Sequence, residues 1–405
     1  MRTEAVDEVT VKEAVDEAFR SEWGRVVATL IRVTGDWDLA EECASDAFAS
    51  ALATWPRDGV PRRPGAWLTT TARNRALDRV RRGAAETNRL RKLAPIVPAD
   101  PEPAQPDAVP DDRLRLMFTC CHPALPLEAQ VALTLRTLAG LTTPEIAQAF
   151  LVPEATMAQR LVRAKRKIRN ARIPYRVPPA ELLPERTAGV LGVLYLLFNK
   201  GYSRGELSTE AIRLARVLVS LMPAEPEARG LLALMLFHES RRETRVDAAG
   251  DLVTLAEQDR SRWDHAMVDE GVAVLDAAFD LGRPGVYQLQ AAIAGCHATA
   301  ERADDTDWRR IADLYALVGR LNPSPVVELN RAVAVAEVDG PAAGLMLVDA
   351  LRDKLSGYHL LSATRADLLR RLGRAAEARA AYEEAVSLAP TDAERRFLTR
   401  RVNDL

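Results

Sequence analysis

The sequence predicts an all-α protein, and three observations carry that expectation. Apolar residues recur at three- and four-residue spacing along most of the chain, without the sustained alternation of half-buried strands. Aromatic residues make up 5% of the chain while 48% is hydrophobic, so Ala, Leu and Val supply the core, as in packed helices rather than β-sandwiches. Prolines gather in two stretches, at 95, 98, 101, 103, 106 and 110 and again at 174, 178, 179 and 184, which marks where helices stop. The 405 residues therefore divide into a block over 1–83, a tether over 84–112, a block over 113–172 and a long helical block over 185–405.

In the first block, the segment from Gly35 to Phe48 reads as a helix with Glu41, Glu42 and Asp46 on an acidic face, suited to a basic partner. The segment from Pro64 to Arg82 follows, a basic helix with Trp67 near its start and Arg73, Asn74, Arg75, Asp78 and Arg79 along it. Aromatics interleaved with arginines suit single-stranded nucleic acid, because rings stack on bases while guanidinium groups hold the backbone. The tether is proline-rich and acidic, with Asp100, Glu102, Asp107, Asp111 and Asp112, and reads as an extended spacer.

The middle block carries a helix-turn-helix. A short helix over 143–150 puts Ile146, Ala147 and Phe150 on one face, opened by the capping run Thr142-Thr143-Pro144-Glu145. A tight turn through Leu151, Val152 and Pro153 leads into a second helix from about Glu154. There Met157, Leu161, Ala164 and Ile168 face inward, leaving Thr156, Gln159, Arg160, Arg163, Arg166 and Lys167 for base edges and phosphates of a duplex.

In the last block, the run from Ala366 to Pro390 fits a tetratricopeptide repeat, with small residues at Ala366, Gly373, Ala378 and Ala385, and Tyr382. Gly340 precedes Gly373 by 33 residues, close to the repeat's period of about 34. Stacked helical repeats form concave surfaces that bind protein.

Taken in order, these motifs resemble an RNA polymerase sigma factor of the extracytoplasmic-function (group IV) type. The segment Gly35 to Phe48 is similar to sigma region 2 up to the helix that docks on core polymerase. The run Ala72-Arg-Asn-Arg-Ala-Leu-Asp-Arg-Val-Arg-Arg82 is similar to the helix that captures the melted −10 strand, and the helix-turn-helix resembles sigma region 4, which reads the −35 duplex. The resemblance implies that Glu41, Glu42 and Asp46 dock on the coiled coil of the largest polymerase subunit. It assigns the −10 strand to Trp67, Arg73, Asn74, Arg75, Asp78, Arg79 and Arg82, and the −35 element to Thr156, Gln159, Arg160, Arg163 and Lys167. The loop from Arg57 to Pro64 is similar to the one that pockets a flipped promoter base. Departures are Ser45 where Gln is common, Glu42 for Asp, and Ala158 and Gln159 where Lys and Ser are frequent, so promoter sequence does not carry over. Phe198 to Ser203, Gln258 to Asp264 and Asp304 to Trp308 resemble a subfamily with a tetratricopeptide-like extension, thought there to replace a separate anti-sigma protein. That likeness makes a regulatory protein, with DGPF-type proteins as candidates, an implied partner of the extension.

Several residue types invite other readings. Cys120-Cys121-His122 lacks the spaced ligand pairs of a zinc site and reads as a packed helix end. His238, His265, His297 and His359 stand isolated, and the acidic run Asp304 to Asp307 lacks the glycine and terminal Glu of a calcium loop, so it reads as a helix cap. No catalytic residue, cofactor or metal is expected. Net charge is −2, and the charged opening residues have no apolar signal core, which points to a cytoplasmic location. The rival reading is a helix-turn-helix transcriptional regulator with a helical ligand- or protein-sensing domain. A repressor has no need, however, for an acidic helix beside an aromatic and arginine-rich one.

Overall fold

Helical periodicity becomes helix almost everywhere. The computed structural model describes residues 8–91, 111–201, 206–247 and 250–405, and among them no strand forms beyond one isolated bridge between Val246 and Leu252. The chain divides into two compact units, residues 1–214 and 215–405.

The first unit opens with a three-helix bundle, α1 (Glu8–Thr34), α2 (Trp37–Asp58) and α3 (Pro64–Arg91). Asp36 starts α2 because its carboxylate accepts from the N–H groups of Asp38 and Leu39, two donors that otherwise lack partners at a helix start. Gly59 ends α2 in the left-handed region at φ 81°. The bundle core is aromatic: Phe19 lies 4.9 Å from Trp23 and 5.1 Å from Phe48, ring to ring. Helix α3 runs past Gly83 to Arg91, into the stretch read as tether; residues 92–110 of that tether lie outside the described residues. Asp111 and Asp112, read as tether acids, instead open α4 (Asp112–Cys120), where Asp111 caps the N–H of Arg113. Asp112 is buried, 2.8 Å from Arg32 and 2.5 Å from Arg115.

Next come α5 (Leu127–Thr134), a π-helical turn over Leu135–Ala139, α6 (Thr143–Phe150) and α7 (Glu154–Asn170). The expected cap is present as a reciprocal box between Thr142 and Glu145. Met157, Leu161, Ala164 and Ile168 of α7 are buried, as their spacing requires. Cys120 and Cys121 close α4 in the core, with Cys120 Sγ 3.3 Å from Thr137 Oγ1 and Cys121 Sγ 3.8 Å from Thr134 Oγ1. Burial pushes both thiols up, Cys121 to about 12, so they are packed protonated groups.

Helix α8 (Leu183–Lys200) packs on α4 and α5 and buries Val190, Val193, Leu194 and Leu197, and Arg186 donates to the Phe118 carbonyl. Helix α9 (Glu206–Leu221) begins in the same unit, where Arg213 donates to the Leu138 carbonyl at 3.1 Å. The boundary read at 185 therefore differs from the compact units: α8 and the start of α9 complete the fold around the helix-turn-helix. The proline-rich stretch before α8 is also anchored, since Tyr175 donates its hydroxyl to Ala28 O at 2.8 Å.

The second unit continues with α10 (Pro226–Glu239), α11 (His265–Phe279), α12 (Val286–Ala298), α13 (Trp308–Leu321), α14 (Pro325–Asp339), α15 (Pro341–Asp349), α16 (His359–Arg371), α17 (Ala375–Leu388) and α18 (Asp392–Asn403). From α12 onward each helix packs against the next. Ala366, Ala378, Tyr382 and Ala385 are buried between α16 and α17, and Gly373 supplies the positive φ of their turn. Helix α18 reaches back to the segment before α11, with Arg396 and Arg400 on Asp251 and Arg401 on Glu257. Asp307 caps α13 by accepting from Arg310 N–H. Burial and neighbouring arginines hold His238 neutral, down at about 3, and His297 at about 4.

Candidate nucleic-acid interface

Helices α2 and α3 lie side by side, and that places the two predicted residue sets of the first block against each other. Arg79 meets Glu42 at 2.6 Å and Asp46 at 2.8 Å, while Arg75 stands 3.6 Å from Asp46 and also hydrogen-bonds Ser50. Arg73, Asn74, Asp78 and Arg82 are exposed along α3. Their spacing of one, four and eight to nine residues sets Arg73 or Asn74, then Asp78, then Arg82 along one helical stripe. Trp67 is half-buried, edge-on to Trp55 at 5.6 Å. Its ring is thus braced from below at the start of α3.

The acidic face is only partly a face. Glu42 and Asp46 reach solvent, but Glu41 is buried, which corrects the expectation of three exposed carboxylates. Arg136 Nε donates to Glu41 Oε2 at 2.9 Å, and Lys165 Nζ stands 2.8 Å from Glu41 Oε1, off the hydrogen-bonding angle, while donating to Asp38 Oδ1 at 2.8 Å. Arg136 and Lys165 were not singled out in the sequence. Arg136 had left a trace, as a lone charge within the apolar run Val131–Ala139; a cation there needs a buried acid or a carbonyl.

In the helix-turn-helix, Thr156, Gln159, Arg163 and Lys167 are exposed along α7. With Pro126 and Glu128 of the α5 region they line an open groove of about 580 Å³. Arg160 is more engaged than its neighbours: it pairs with Glu128 at 2.8 Å and lies over the Phe150 ring, 5.6 Å from its centre. Phe150 carries Lys200 of α8 as well, 4.5 Å from the ring centre. Among the described residues, no three His, Cys, Asp or Glu side chains gather as a metal site. No described helix is long and apolar enough to cross a membrane.

The geometry thus pairs an arginine-rich helix with a helix-turn-helix in one chain, and comparison with known proteins agrees. Residues 18–86 match Sigma-70 region 2, residues 115–168 match Sigma-70 region 4, and residues 186–279 match a family of unknown function, DUF6596. The chain belongs to the RNA polymerase sigma factors. Within them it is of the extracytoplasmic-function type with a C-terminal helical extension. It is 44% identical to an uncharacterized protein of Rhizobium meliloti (strain 1021) over 96% of each chain. It is 26% identical to the probable ECF RNA polymerase sigma factor SigI of Mycobacterium tuberculosis, over 42% of this chain and 59% of the relative.

Proposed function

We propose that the chain acts as a sigma factor through three residue sets and an extension that modulates them. Glu42 and Asp46, with Glu41 once uncovered, dock on the basic coiled coil of the largest polymerase subunit. Trp67, Arg73, Asn74, Asp78 and Arg82 hold the melted −10 strand, with Arg75 and Arg79 set in place by Asp46 and Glu42. Thr156, Gln159 and Arg163 read or position the −35 duplex, Lys167 meets phosphate, and Arg160 joins them after leaving Glu128. The observation that carries this reading is the exposed stripe on α3 together with the exposed row on α7, two surfaces of different chemistry in one chain. One suits single strands and the other suits duplex.

The chain works in the cytoplasm, makes or breaks no bond, and takes its signal at the extension, where a regulatory protein such as a DGPF-type protein binds. Run-off transcription with purified core polymerase on a genomic promoter library tests the reading. A discrete set of start sites that depends on the chain is expected; no specific transcript beside active controls would overturn it.

A further inference from the structure

We propose that Lys200, at the end of α8, is a further contact to promoter DNA: its ammonium binds a backbone phosphate of the duplex that α7 reads. The proposal rests on the reading of α7 as the −35 helix. It adds a residue that lies outside both sigma-type regions.

The run Phe198-Asn-Lys-Gly201 shows how one lysine is held in place. Phe198 is buried and anchors the last turn of α8 in the core. Gly201 is buried where α9 approaches, and a Cβ there would collide with the Ser208 backbone. Glycine is thus the residue that lets the two helices meet so closely. With Phe198 and Gly201 pinned, only Asn199 and Lys200 of the run are exposed. The Lys200 ammonium stands 4.5 Å from the centre of the Phe150 ring, and the Arg160 guanidinium lies 5.6 Å from the same centre. A ring face attracts and orders a cation without neutralising it as a carboxylate does. Arg160 has Glu128 as its counter-charge, whereas Lys200 has no ion-pair partner among the described residues.

Phe150 closes α6, the first helix of the helix-turn-helix. In this motif the first helix crosses the DNA backbone while the second enters the groove. A cation ordered on Phe150 is therefore carried beside phosphate and not beside base edges. Arg160, Arg163 and Lys167 line one groove along α7, and Lys200 joins that basic row through the ring it shares with Arg160. Lysine suits the role, because its ammonium is a point charge that meets phosphate without demanding a bidentate geometry. Lys200 thus adds affinity for duplex without a preference for sequence.

The test is fluorescence anisotropy of the full-length chain with a pool of random-sequence duplexes, titrated across a salt series. Phosphate contacts do not depend on sequence, so the promoter need not be known. Lys200→Met removes the charge but keeps an adaptable side chain that packs well on an aromatic ring. It is expected to weaken duplex binding about three- to tenfold at low salt and to reduce the salt slope by about 1. Lys200→Arg should restore both, and both variants should melt with the parent. A parent-like affinity and salt slope in Lys200→Met would overturn the proposal. So would an equal loss on single strands of the same length, which fall to α3. A lysine that only braces α8 on α6 would instead lower the melting temperature of Lys200→Met and leave the slope unchanged. Arg163→Ala separates the contact from the reading beneath it. Unchanged duplex binding there would sink α7 as the duplex-reading helix, whereas weakened binding beside a parent-like Lys200→Met would sink the Lys200 contact alone.

Discussion

Arg79 Nη2 donates to Asp46 Oδ2 at 2.8 Å, joining α3, the helix proposed to hold the −10 strand, to α2, the helix whose acids are proposed to dock on core polymerase. The two sets of charges share one ion-pair network, so a change in one is felt by the other. Arg79 is about one-third exposed, so the pair contributes only about 0.2–1 kcal/mol. Asp46→Ala should therefore leave thermal unfolding nearly unchanged while weakening both core association and capture of a −10 strand. A −10 affinity equal to that of the parent would show that Asp46 does not position Arg79.

Arg163 and Arg160 should behave differently although both lie on α7. Arg163 is exposed, so Arg163→Ala should cost about 1–3 kcal/mol of −35 duplex affinity if it makes a bidentate base contact. Arg160 is already held by Glu128 and Phe150, so Arg160→Ala should also lower thermal stability through lost packing. Fluorescence anisotropy across a salt series checks this. A loss that is even across sequences, with a shallower salt slope, would place either arginine on phosphate instead.

Thiol reactivity should follow burial. Cys120 and Cys121 are buried and their thiols pushed up, so little thiolate forms at neutral pH. Cys296 is part-exposed, and its thiol is raised by burial without reaching that degree of enclosure. An alkylating reagent at pH 8 should therefore modify Cys296 first, with Cys120 and Cys121 reacting only on unfolding. Peptide mass spectrometry over time reads the order. Early labelling of Cys121 would contradict the packed helix end.

The second unit should be acid-labile. His238 sits at about 3 in the folded chain against about 6.5 unfolded. The unfolded state thus binds more protons between those values, and stability falls as pH drops from about 6.5 toward 3. The slope approaches about 1.4 kcal/mol per pH unit for each such histidine, with His297 adding its share down to about 4. Thermal unfolding followed through Trp263 at several pH values measures it. A melting temperature flat between pH 7 and 5 would mean that neither histidine is enclosed as described.

Much of this was legible in the sequence because it is local. The α6 and α7 boundaries, the Thr142 cap and the buried face of Met157, Leu161, Ala164 and Ile168 follow from spacing and capping alone. So do the small residues of the α16 and α17 pair. What was missed is long-range. Glu41 and Arg136 lie 95 residues apart, so nothing in either neighbourhood marks the carboxylate as covered. Tyr175 reaches Ala28 from within a stretch whose prolines suggest only a joint. Asp112 shares its composition with the tether, and only its pairing with Arg32 and Arg115 sets it apart.

The place where the sigma-like fold ends can be tested by truncation. Helix α8 buries Val190, Val193, Leu194, Leu197 and Phe198, and it packs on α4 and α5. A chain ending at Pro178 would leave the facing surfaces of α4 and α5 open to water. Each fully buried side chain of this size contributes about 1.5–3 kcal/mol, so losing even two would remove a large part of a domain's stability. The chain 1–178 is thus expected to melt well below the full-length protein and to bind a hydrophobic dye. The chain 1–201, which keeps α8 and the Lys200 contact over Phe150, should recover most of the first unit's melting temperature. Equal melting of the two truncated chains would mean that α8 does not complete the fold, and that the sigma-like part ends near Arg172 as its sequence suggested.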